Sequence, residues 1–289
     1  IPKSLYLVRE SLDVPSIDQV EYHVCPCQQH IYKHVAKEEW ILHRDEKCPK
    51  CEKSRFRVVT KPDGSLMVSP RKVCHLLVRY RIYLNEVLFR EMQVFYAFKL
   101  ESQIKRLFRI PEFARKRGTQ RDSADPNSFF KSRHWKWIKQ VTNGEAAKHS
   151  NSVYSIGFDW CQAAKSKDHS MGVVSLRCED LPPDLAHKDI MTLPLLYLPG
   201  PKEPKCLNIF FNVIADEFME AAEKGISVTY TNSSGQLVQV QHKPFWAFIH
   251  CDSPARSKLG CFNGANALFC CPFCRHPSSQ APGQTTYKP

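Results

Sequence analysis

The segment VYSIGFDW, from Val153 to Trp160, begins the part of the chain that decides the fold. It is apolar and rich in β-branched and aromatic residues, as strands that enter a core usually are. Two further runs of the same kind follow at residues 171–178 and 190–198, and turn-forming residues separate them. The three runs therefore predict three successive strands.

A helix, a hairpin and a last strand follow these three strands. The helix is predicted from Leu207 to Lys224, where apolar residues recur on one face and Gly225 stands just beyond the end. Residues 226–230 and 237–240 flank a polar turn and predict a hairpin. Residues 245–251 predict a further buried strand. This order of elements predicts an α/β fold and excludes a helical bundle or a β-sandwich.

The residues upstream predict a less regular organisation. Residues 58–66 predict a hairpin, because Pro62-Asp63-Gly64 is strong turn chemistry. Residues 87–116 predict a helix with one apolar face. Residues 115–151 are charged, polar and punctuated by Gly and Pro, which is typical of a linker or an irregular surface. Within them, the run HWKW at residues 134–137 can stack on nucleic-acid bases, although buried tryptophans more often explain such a run.

Composition limits the class of protein. The chain has 289 residues, of which 43% are hydrophobic, so a real core is expected rather than disorder. Lysine and arginine outnumber acids by 41 to 29, and a net charge of +12 suits a polyanionic partner. A solvated basic surface is the alternative. Without a signal peptide or a run of about 18 apolar residues, we expect a soluble protein with no membrane partner. The first residue, Ile1, and the polar end predict a fragment.

Two short cysteine pairs near the start predict a metal site. Cys25-Pro-Cys27 and Cys48-Pro-Lys-Cys51 are separated by residues 28–47, a spacing typical of structural zinc held by four thiolates. A small segment with few core residues gains much of its fold from such a metal. The first pair is shorter than usual, so His30 or His34 can replace Cys27 as the fourth ligand. Buried free cysteines are the alternative to a metal site.

A third short pair lies near the end, at Cys271-Pro-Phe-Cys274. It predicts a second zinc site, which Cys261, His276 or ligands beyond the last residue can complete. We favour ligands beyond the last residue, because no second pair follows within the chain.

Two aspartates stand at the ends of predicted strands. Asp159 ends the first core strand and Asp252 follows the last one. A carboxylate there is costly unless it is exposed, paired or bound to a metal. If the two strands are neighbours, both carboxylates lie at one sheet edge and can share divalent cations, as phosphoryl-transfer sites require. A simple turn-forming role is the commoner explanation of either residue alone.

Several short motifs follow one another in a fixed order. They are Tyr-His-x-Cys at 22–25, Cys-Pro-x-Cys at 48–51, the helix from Leu100 to Phe113, Asp-Trp at 159–160, a Ser-x-Gly strand ending in Leu-Pro at 170–182, LPGPKEPK at 198–205, Asp-x-Pro-Ala at 252–255, and Cys-Pro-x-Cys at 271–274. In this order, from Tyr22 to His276, the chain resembles the transposases of the CACTA (En/Spm) class and their algal and fungal relatives. LPGPKEPK is the most specific of the matches.

This resemblance to a DDE/D transposase family implies a ribonuclease-H-like mixed sheet, here incomplete. Asp159 and Asp252 match the first two of three acids that bind Mg²⁺ or Mn²⁺, with the third expected beyond the last residue. The metals activate water, and then a DNA 3′-hydroxyl, for attack on phosphodiester bonds. The resemblance also implies DNA as the partner (transposon ends and target) and a nuclear location. It is compatible with a homo-oligomer. A fragment lacking the third acid is expected to be inactive alone.

The resemblance divides the chain into three parts. Residues 1–57 form a zinc-ribbon-like module, residues 58–151 a hairpin, helical and linker region, and residues 152–289 the first part of the catalytic core with the start of a zinc-containing insertion. DNA contacts are predicted at four cations near the motifs, although solvated or turn-fixing positions explain them as well. These cations are Lys202, Lys205, Arg256 and Lys258. A domesticated or decayed zinc-stabilised module that binds DNA or protein without cutting is the alternative function.

Overall fold

The structure is a computed structural model, and it describes residues 19–27, 29–70, 93–162, 170–199, 204, 207–232, 234–252, 255–256, 259, 279–281 and 284–286. The strands, in chain order, are β1 (Gln19–Val24), β2 (Ile31–Tyr32), β3 (Phe56–Thr60), β4 (Leu66–Pro70), β5 (Gln93–Phe98), β6 (Ser152–Gln162), β7 (Ser170–Cys178), β8 (Leu193–Pro199), β9 (Ile226–Thr231), β10 (Leu237–His242), β11 (Pro244–Cys251), β12 (Ser279–Ala281) and β13 (Gln284–Thr286). The α-helices are α1 (Leu100–Phe108), α2 (Pro111–Lys116), α3 (Arg133–Val141), α4 (Pro183–Ala186) and α5 (Asn208–Lys224).

A seven-stranded sheet, in the order β11-β6-β7-β8-β5-β1-β2, organises the described residues. Strands β6, β7 and β8 pair antiparallel in sequence order, and β5, β1 and β2 extend the sheet on the side of β8. Strand β11, by contrast, runs parallel to β6 along its other side. The predicted α/β fold with a mixed sheet is confirmed. The strands that flank the first cysteine pair, β1 and β2, belong to this same sheet.

Helices α1 and α5 contribute to the main core on one face of the sheet. Alternate residues of β6 point to this face, where Tyr154 packs on Phe218 and Phe158 on Phe211, with ring centroids 6.4 and 5.8 Å apart. Buried residues of β7, β8 and α1 belong to the same cluster. Burying one face of a strand leaves the alternate side chains on the opposite face.

A second, smaller core lies on that opposite face. Trp135 and Ile138 of α3 pack there with Val153 of β6 and with Phe245 and Ala247 of β11. These strand residues lie near the amino ends of β6 and β11. Helix α3 therefore covers the beginnings of the two parallel strands.

A buried ion pair fixes the segment before β6. Asp180 has no exposed side-chain surface, and it accepts hydrogen bonds from Nε and Nη2 of Arg121 at 2.7 and 2.9 Å. The same carboxylate accepts one from the backbone N–H of Val153 at 3.0 Å. A buried carboxylate with this many partners ties the region before the sheet to the first residues of β6.

Most of the predicted elements of the α/β part are confirmed. Strands β6, β7, β8 and β11 and helix α5 lie where the sequence predicts them, with ends that differ by one to three residues. Gly225 ends α5 with a positive φ of 75°, a conformation that glycine adopts without strain. The predicted hairpins are the antiparallel pairs β9–β10 and β3–β4, and Gly64 in the second turn has a φ of 80°.

Two upstream predictions are wrong. Residues 93–98, predicted as part of a helix, form β5, because Phe95 and Ala97 alternate into the core while the strand pairs with β1. Residues 115–151, predicted as a linker, contain α3 and most of the second core. The hydroxyl of Ser132 accepts a hydrogen bond from the N–H of Trp135 at 3.0 Å and so begins α3.

Candidate functional site

The two cysteine pairs near the start meet in space. One sulfur atom from each of Cys25, Cys27, Cys48 and Cys51 lies within 4.8 Å of the other three. The Cys25 and Cys51 sulfurs are 3.4 Å apart, and those of Cys27 and Cys48 are 3.7 Å apart. Metal–sulfur bonds of about 2.3 Å in a tetrahedron place sulfurs about 3.8 Å apart. The four cysteines are thus compatible with a structural metal ion.

Tight backbone turns bring the sulfurs together. The N–H of Cys25 donates to the carbonyl of His30 at 2.9 Å, which closes the turn after β1. The N–H of Cys48 donates to Lys53 O at 2.9 Å, and the N–H of Lys50 points at the Cys48 sulfur at 3.4 Å. Burial raises the pKa of the Cys25 thiol. A bound cation would offset this burial when the sulfur acts as a thiolate ligand.

A buried arginine supports this cysteine cluster. Arg55 is 1% exposed, and its guanidinium donates to Glu46 Oε2 at 2.6 Å, to Lys33 O at 3.0 Å and to His23 Nδ1 at 3.3 Å. The guanidinium also lies over the Tyr32 ring, 5.0 Å from its centroid. Burial, followed by the nearby Arg55 charge, lowers the pKa of His23. A neutral His23 is the form that accepts the arginine N–H.

Neither alternative histidine belongs to the cluster. The ring of His30 packs edge-on against Tyr32, with centroids 4.8 Å apart. Nδ1 of His34 is 2.8 Å from the carbonyl oxygen of Glu21, to which it donates. Among the residues that the structure describes, the group of close metal-ligating side chains consists of the four cysteines alone.

The two predicted acids each come directly after a pair of partner residues in two neighbouring parallel strands. In the pairing of β11 with β6, Cys251 is the partner of Phe158. The next residue of each chain is an aspartate, so Asp252 follows β11 at the register position of Asp159. Residues at matching positions of neighbouring parallel strands share one face of the sheet. Both aspartates are solvent-exposed.

The structure corrects one detail of the first acid. Asp159 lies inside β6, which continues to Gln162, and pairs with Val173 of β7. It is the first residue of β6 beyond the end of β11. The end of β11 at Cys251 therefore determines where Asp252 lies relative to Asp159.

Backbone groups orient both carboxylates. Asp159 Oδ1 accepts a hydrogen bond from the N–H of Trp160 at 2.8 Å, and Asp252 Oδ1 accepts one from the N–H of Ala255 at 2.8 Å. The carbonyl of Asp252 accepts from the N–H of Arg256 at 2.9 Å, which starts a helical turn. Each carboxylate thus has one oxygen fixed by its own chain.

A polar cluster that the sequence did not predict lies on the same face as Asp159. Glu179 accepts from the Ser155 hydroxyl and, at 2.9 Å, from Nε of Arg177. Nη2 of Arg177 is 2.5 Å from Nε2 of His250, two residues before Asp252. Burial, and then the Arg177 charge, lowers the pKa of His250. The one available signal was an arginine in the otherwise apolar run of β7.

Of the remaining predicted site residues, the structure describes only Arg256. Arg256 is exposed and lies four residues after Asp252. Lys202, Lys205, Lys258, Cys271 and Cys274 lie outside the described residues. The predicted second zinc site and all four predicted DNA contacts therefore stay predictions.

Comparisons with known proteins found no match for this chain among protein-family models, curated proteins or solved structures. No helix in the described part of the chain has both the length and the apolar character needed to cross a bilayer.

Proposed function

We propose that Asp159 and Asp252 form part of a divalent-cation site for transposase-type cleavage and transfer of DNA strands. The observation that carries the proposal is the parallel pairing of β11 with β6, whose last partners, Cys251 and Phe158, each precede one of the two exposed aspartates. The two acids are 93 residues apart in the chain. Their placement at the same end of two neighbouring strands therefore does not follow from a short sequence motif. The same edge is where open α/β sheets commonly place their ligands, beyond the carboxyl ends of parallel strands.

The chemistry of the two side chains fits Mg²⁺ or Mn²⁺. Carboxylate oxygens are the hard ligands that these ions prefer. The Oδ1 atoms of Asp159 and Asp252 are fixed by backbone N–H groups, so a cation would be held through their second oxygens. When bound, such ions activate the attacking hydroxyl and stabilise the leaving oxygen in phosphodiester cleavage. The chain's own contribution is to keep two negative charges side by side and exposed to substrate.

The strand order supports the ribonuclease-H-like fold that the resemblance implies. Three antiparallel strands in sequence order, β6, β7 and β8, stand beside a fourth strand, β11, that runs parallel to the first. Helix α5 lies between β8 and β11 in the chain and packs on one face of this sheet. The transposase resemblance extends the proposal to DNA as the partner and to a nuclear location.

Zinc is the proposed occupant of the four-cysteine cluster, and the segment that carries it is proposed to be zinc-ribbon-like. Four sulfurs within 4.8 Å of one another, with two pairs at 3.4 and 3.7 Å, match the tetrahedral thiolate coordination that zinc favours. Among the described residues, Tyr32 is the one buried hydrophobic residue that joins the cysteines in the small core around them. So small a core fits a segment whose fold is stabilised by metal. The proposed role of this zinc is structural.

A second candidate is a zinc-stabilised DNA-binding module without nuclease activity. One observation favours it: within the described residues, the only group of three or more close metal-ligating side chains is the four-cysteine cluster. A full three-acid site needs a third carboxylate near Asp159 and Asp252. Both candidates include DNA binding and the zinc, but only the first predicts DNA cleavage.

Nicking of supercoiled plasmid tests the proposal. The protein, in a form that also contains the third acid implied by the resemblance, is incubated with Mn²⁺ or Mg²⁺ and compared with its Asp159→Asn and Asp252→Asn variants and with Asp63→Asn. Asp63 is a matched control, because its Oδ1 also accepts a backbone N–H, from Ser65 at 2.9 Å, in an exposed turn. Nicking that either site variant abolishes and the control retains supports the proposal. Nicking equal in all four proteins refutes it, and DNA binding without any nicking favours the second candidate.

A further inference from the structure

An exposed tryptophan stands on the outer side of α3. Trp137 is 55% exposed, while Trp135 and Ile138 of the same helix are buried in the second core. Because those two anchors fix the rotation of the helix, the Trp137 ring is held in solvent. The ring stacks on His134, with centroids 5.5 Å apart and planes 17° from parallel. A large aromatic ring that is held exposed on an ordered helix offers a surface on which a partner molecule can bind.

The charged residues of α3 and of the turn before it are all positive. Lys131, Arg133, Lys136 and Lys139 are exposed, and α3 contains no acidic residue. None of the four forms an ion pair with an acid within the part of the chain that the structure describes. Cations that no acid offsets attract a polyanion, and the exposed ring offers it a stacking surface.

A row of rings runs from Trp137 toward the paired acids. His134 contacts Phe129, with centroids 6.1 Å apart, and Phe129 contacts Phe248 of β11 at 5.1 Å. Phe248 then contacts His250 at 4.7 Å. The five rings are all exposed or partly exposed. We call Trp137, His134, Phe129, Phe248 and His250 the aromatic row.

Two contacts hold the aromatic row in place. Nε2 of His134 is 2.8 Å from the carbonyl of Ala247, to which it donates, so α3 is tied to β11. At the other end, Nη2 of Arg177 lies 2.5 Å from Nε2 of His250, and the Glu179 carboxylate pairs with Arg177 at 2.9 Å. His250 is two residues before Asp252 and on the same face of the sheet as Asp159, since the two parallel strands are in register. The row therefore ends next to the acids.

We infer that the aromatic row binds single-stranded nucleic acid, with bases on the rings and phosphates along the cations of α3. Single strands expose base faces that every ring can stack on, whereas a duplex hides them. A protein partner would not require a helix face whose charges are all positive. The path that we infer for the nucleic-acid strand along the row rests on the proposed function, because that path ends at the acid pair where cleavage is proposed. Binding itself needs neither the acids nor a cation.

Fluorescence anisotropy with a short oligothymidine, in buffer without added divalent cations, tests the inference. Stacking on one aromatic ring contributes about 1–3 kcal/mol per base, so Trp137→Ala is expected to weaken binding by about 5- to 150-fold. Trp137→Phe retains a ring and is expected to lose less. Val141→Ala is the matched control, because Val141 is 56% exposed on the same helix but is not part of the row; it is expected to bind as the unchanged chain does.

An abasic strand of the same length separates stacking from charge. Trp137→Ala is expected to leave abasic binding unchanged, while Lys136→Gln is expected to weaken binding of both strands. Equal losses for intact and abasic strands in Trp137→Ala, or no loss for either, would overturn the inference. Equally tight binding of a duplex, with the same sensitivity to Trp137→Ala, would also overturn it. Binding is measured without divalent cations and cleavage is measured with them, so failure of the cleavage proposal and failure of this inference give different results.

Discussion

Replacing Cys27 by serine tests the four-cysteine site most severely, because Cys27 belongs to the irregular Cys-Pro-Cys pair. In the structure its sulfur is 3.7 Å from that of Cys48, close to the roughly 3.8 Å expected across a tetrahedral zinc. Structural zinc contributes about 10–16 kcal/mol to small zinc-dependent folds. If the four sulfurs contribute equally, Cys27→Ser removes about 2.5–4 kcal/mol of that free energy. A loss of this size is a large fraction of the stability of an ordinary domain.

The assay measures zinc content and stability together. Zinc per chain is determined by mass spectrometry of the metal after dialysis, and unfolding is followed by urea titration with and without added zinc. Cys27→Ser is expected to bind zinc about 70- to 900-fold more weakly, and so to lose metal on dialysis against a competing chelator that the unchanged protein withstands. His30→Ala is the control, since His30 packs on Tyr32 outside the cluster, and it is expected to keep its zinc.

The reverse result would refute the assignment. If His30→Ala loses zinc and Cys27→Ser keeps it, the histidine is the fourth ligand and the short Cys-Pro-Cys pair is not a chelating pair. If neither variant changes the zinc content or the unfolding midpoint, the cluster is a group of buried thiols.

Two further predictions concern the core beside the acids. Burial lowers the pKa of His242 to about 3. Below pH 6.5 the unfolded chain therefore binds a proton at this histidine, whereas the folded chain does not. The contribution of His242 to the free energy of unfolding is complete above pH 6.5 and falls by about 2 kcal/mol by pH 5. Urea titrations of His242→Gln at both pH values should show a pH dependence smaller by that amount, and an unchanged dependence would contradict the burial of a neutral imidazole. Gly172→Ala places a methyl group 2.6 Å from the Trp160 ring, which follows Asp159, so a loss of about 1–3 kcal/mol is expected in urea unfolding. Gly157→Ala, whose methyl meets only the small Ser175 hydroxyl, should lose less; equal losses would show that the ring does not limit the space.

Local signals in the sequence predicted the elements that depend on neighbouring residues. The strands at Val153 and Met171, the helix ending at Gly225 and the turn at Asp63-Gly64 each follow from a short pattern. Periodicity did not identify β5, because a short apolar run fits a buried strand as well as a helix. Its pairing with β1 joins residues about 70 to 80 positions apart, and no local pattern points to such a contact.

The sites show the same limit. The two cysteine pairs were evident from spacing, but the choice between Cys27 and His30 needed the turn geometry that sets the sulfur positions. Each acid was evident as a strand-terminal aspartate, whereas their adjacency depends on the parallel placement of β11 beside β6. The contact of Arg177 with His250 depends on both neighbours of β6, so it could not be predicted from any one segment.

Manganese binding at the acid pair tests the central claim most directly. Mn²⁺ is titrated into the chain and its free concentration is followed by electron paramagnetic resonance, for the unchanged protein and for Asp159→Asn, Asp252→Asn and Asp63→Asn. Neighbouring carboxylates that share a cation predict that each site variant loses the same single Mn²⁺ site and that Asp63→Asn keeps it. Equal Mn²⁺ binding by all four proteins would contradict the claim that Asp159 and Asp252 form one cation site.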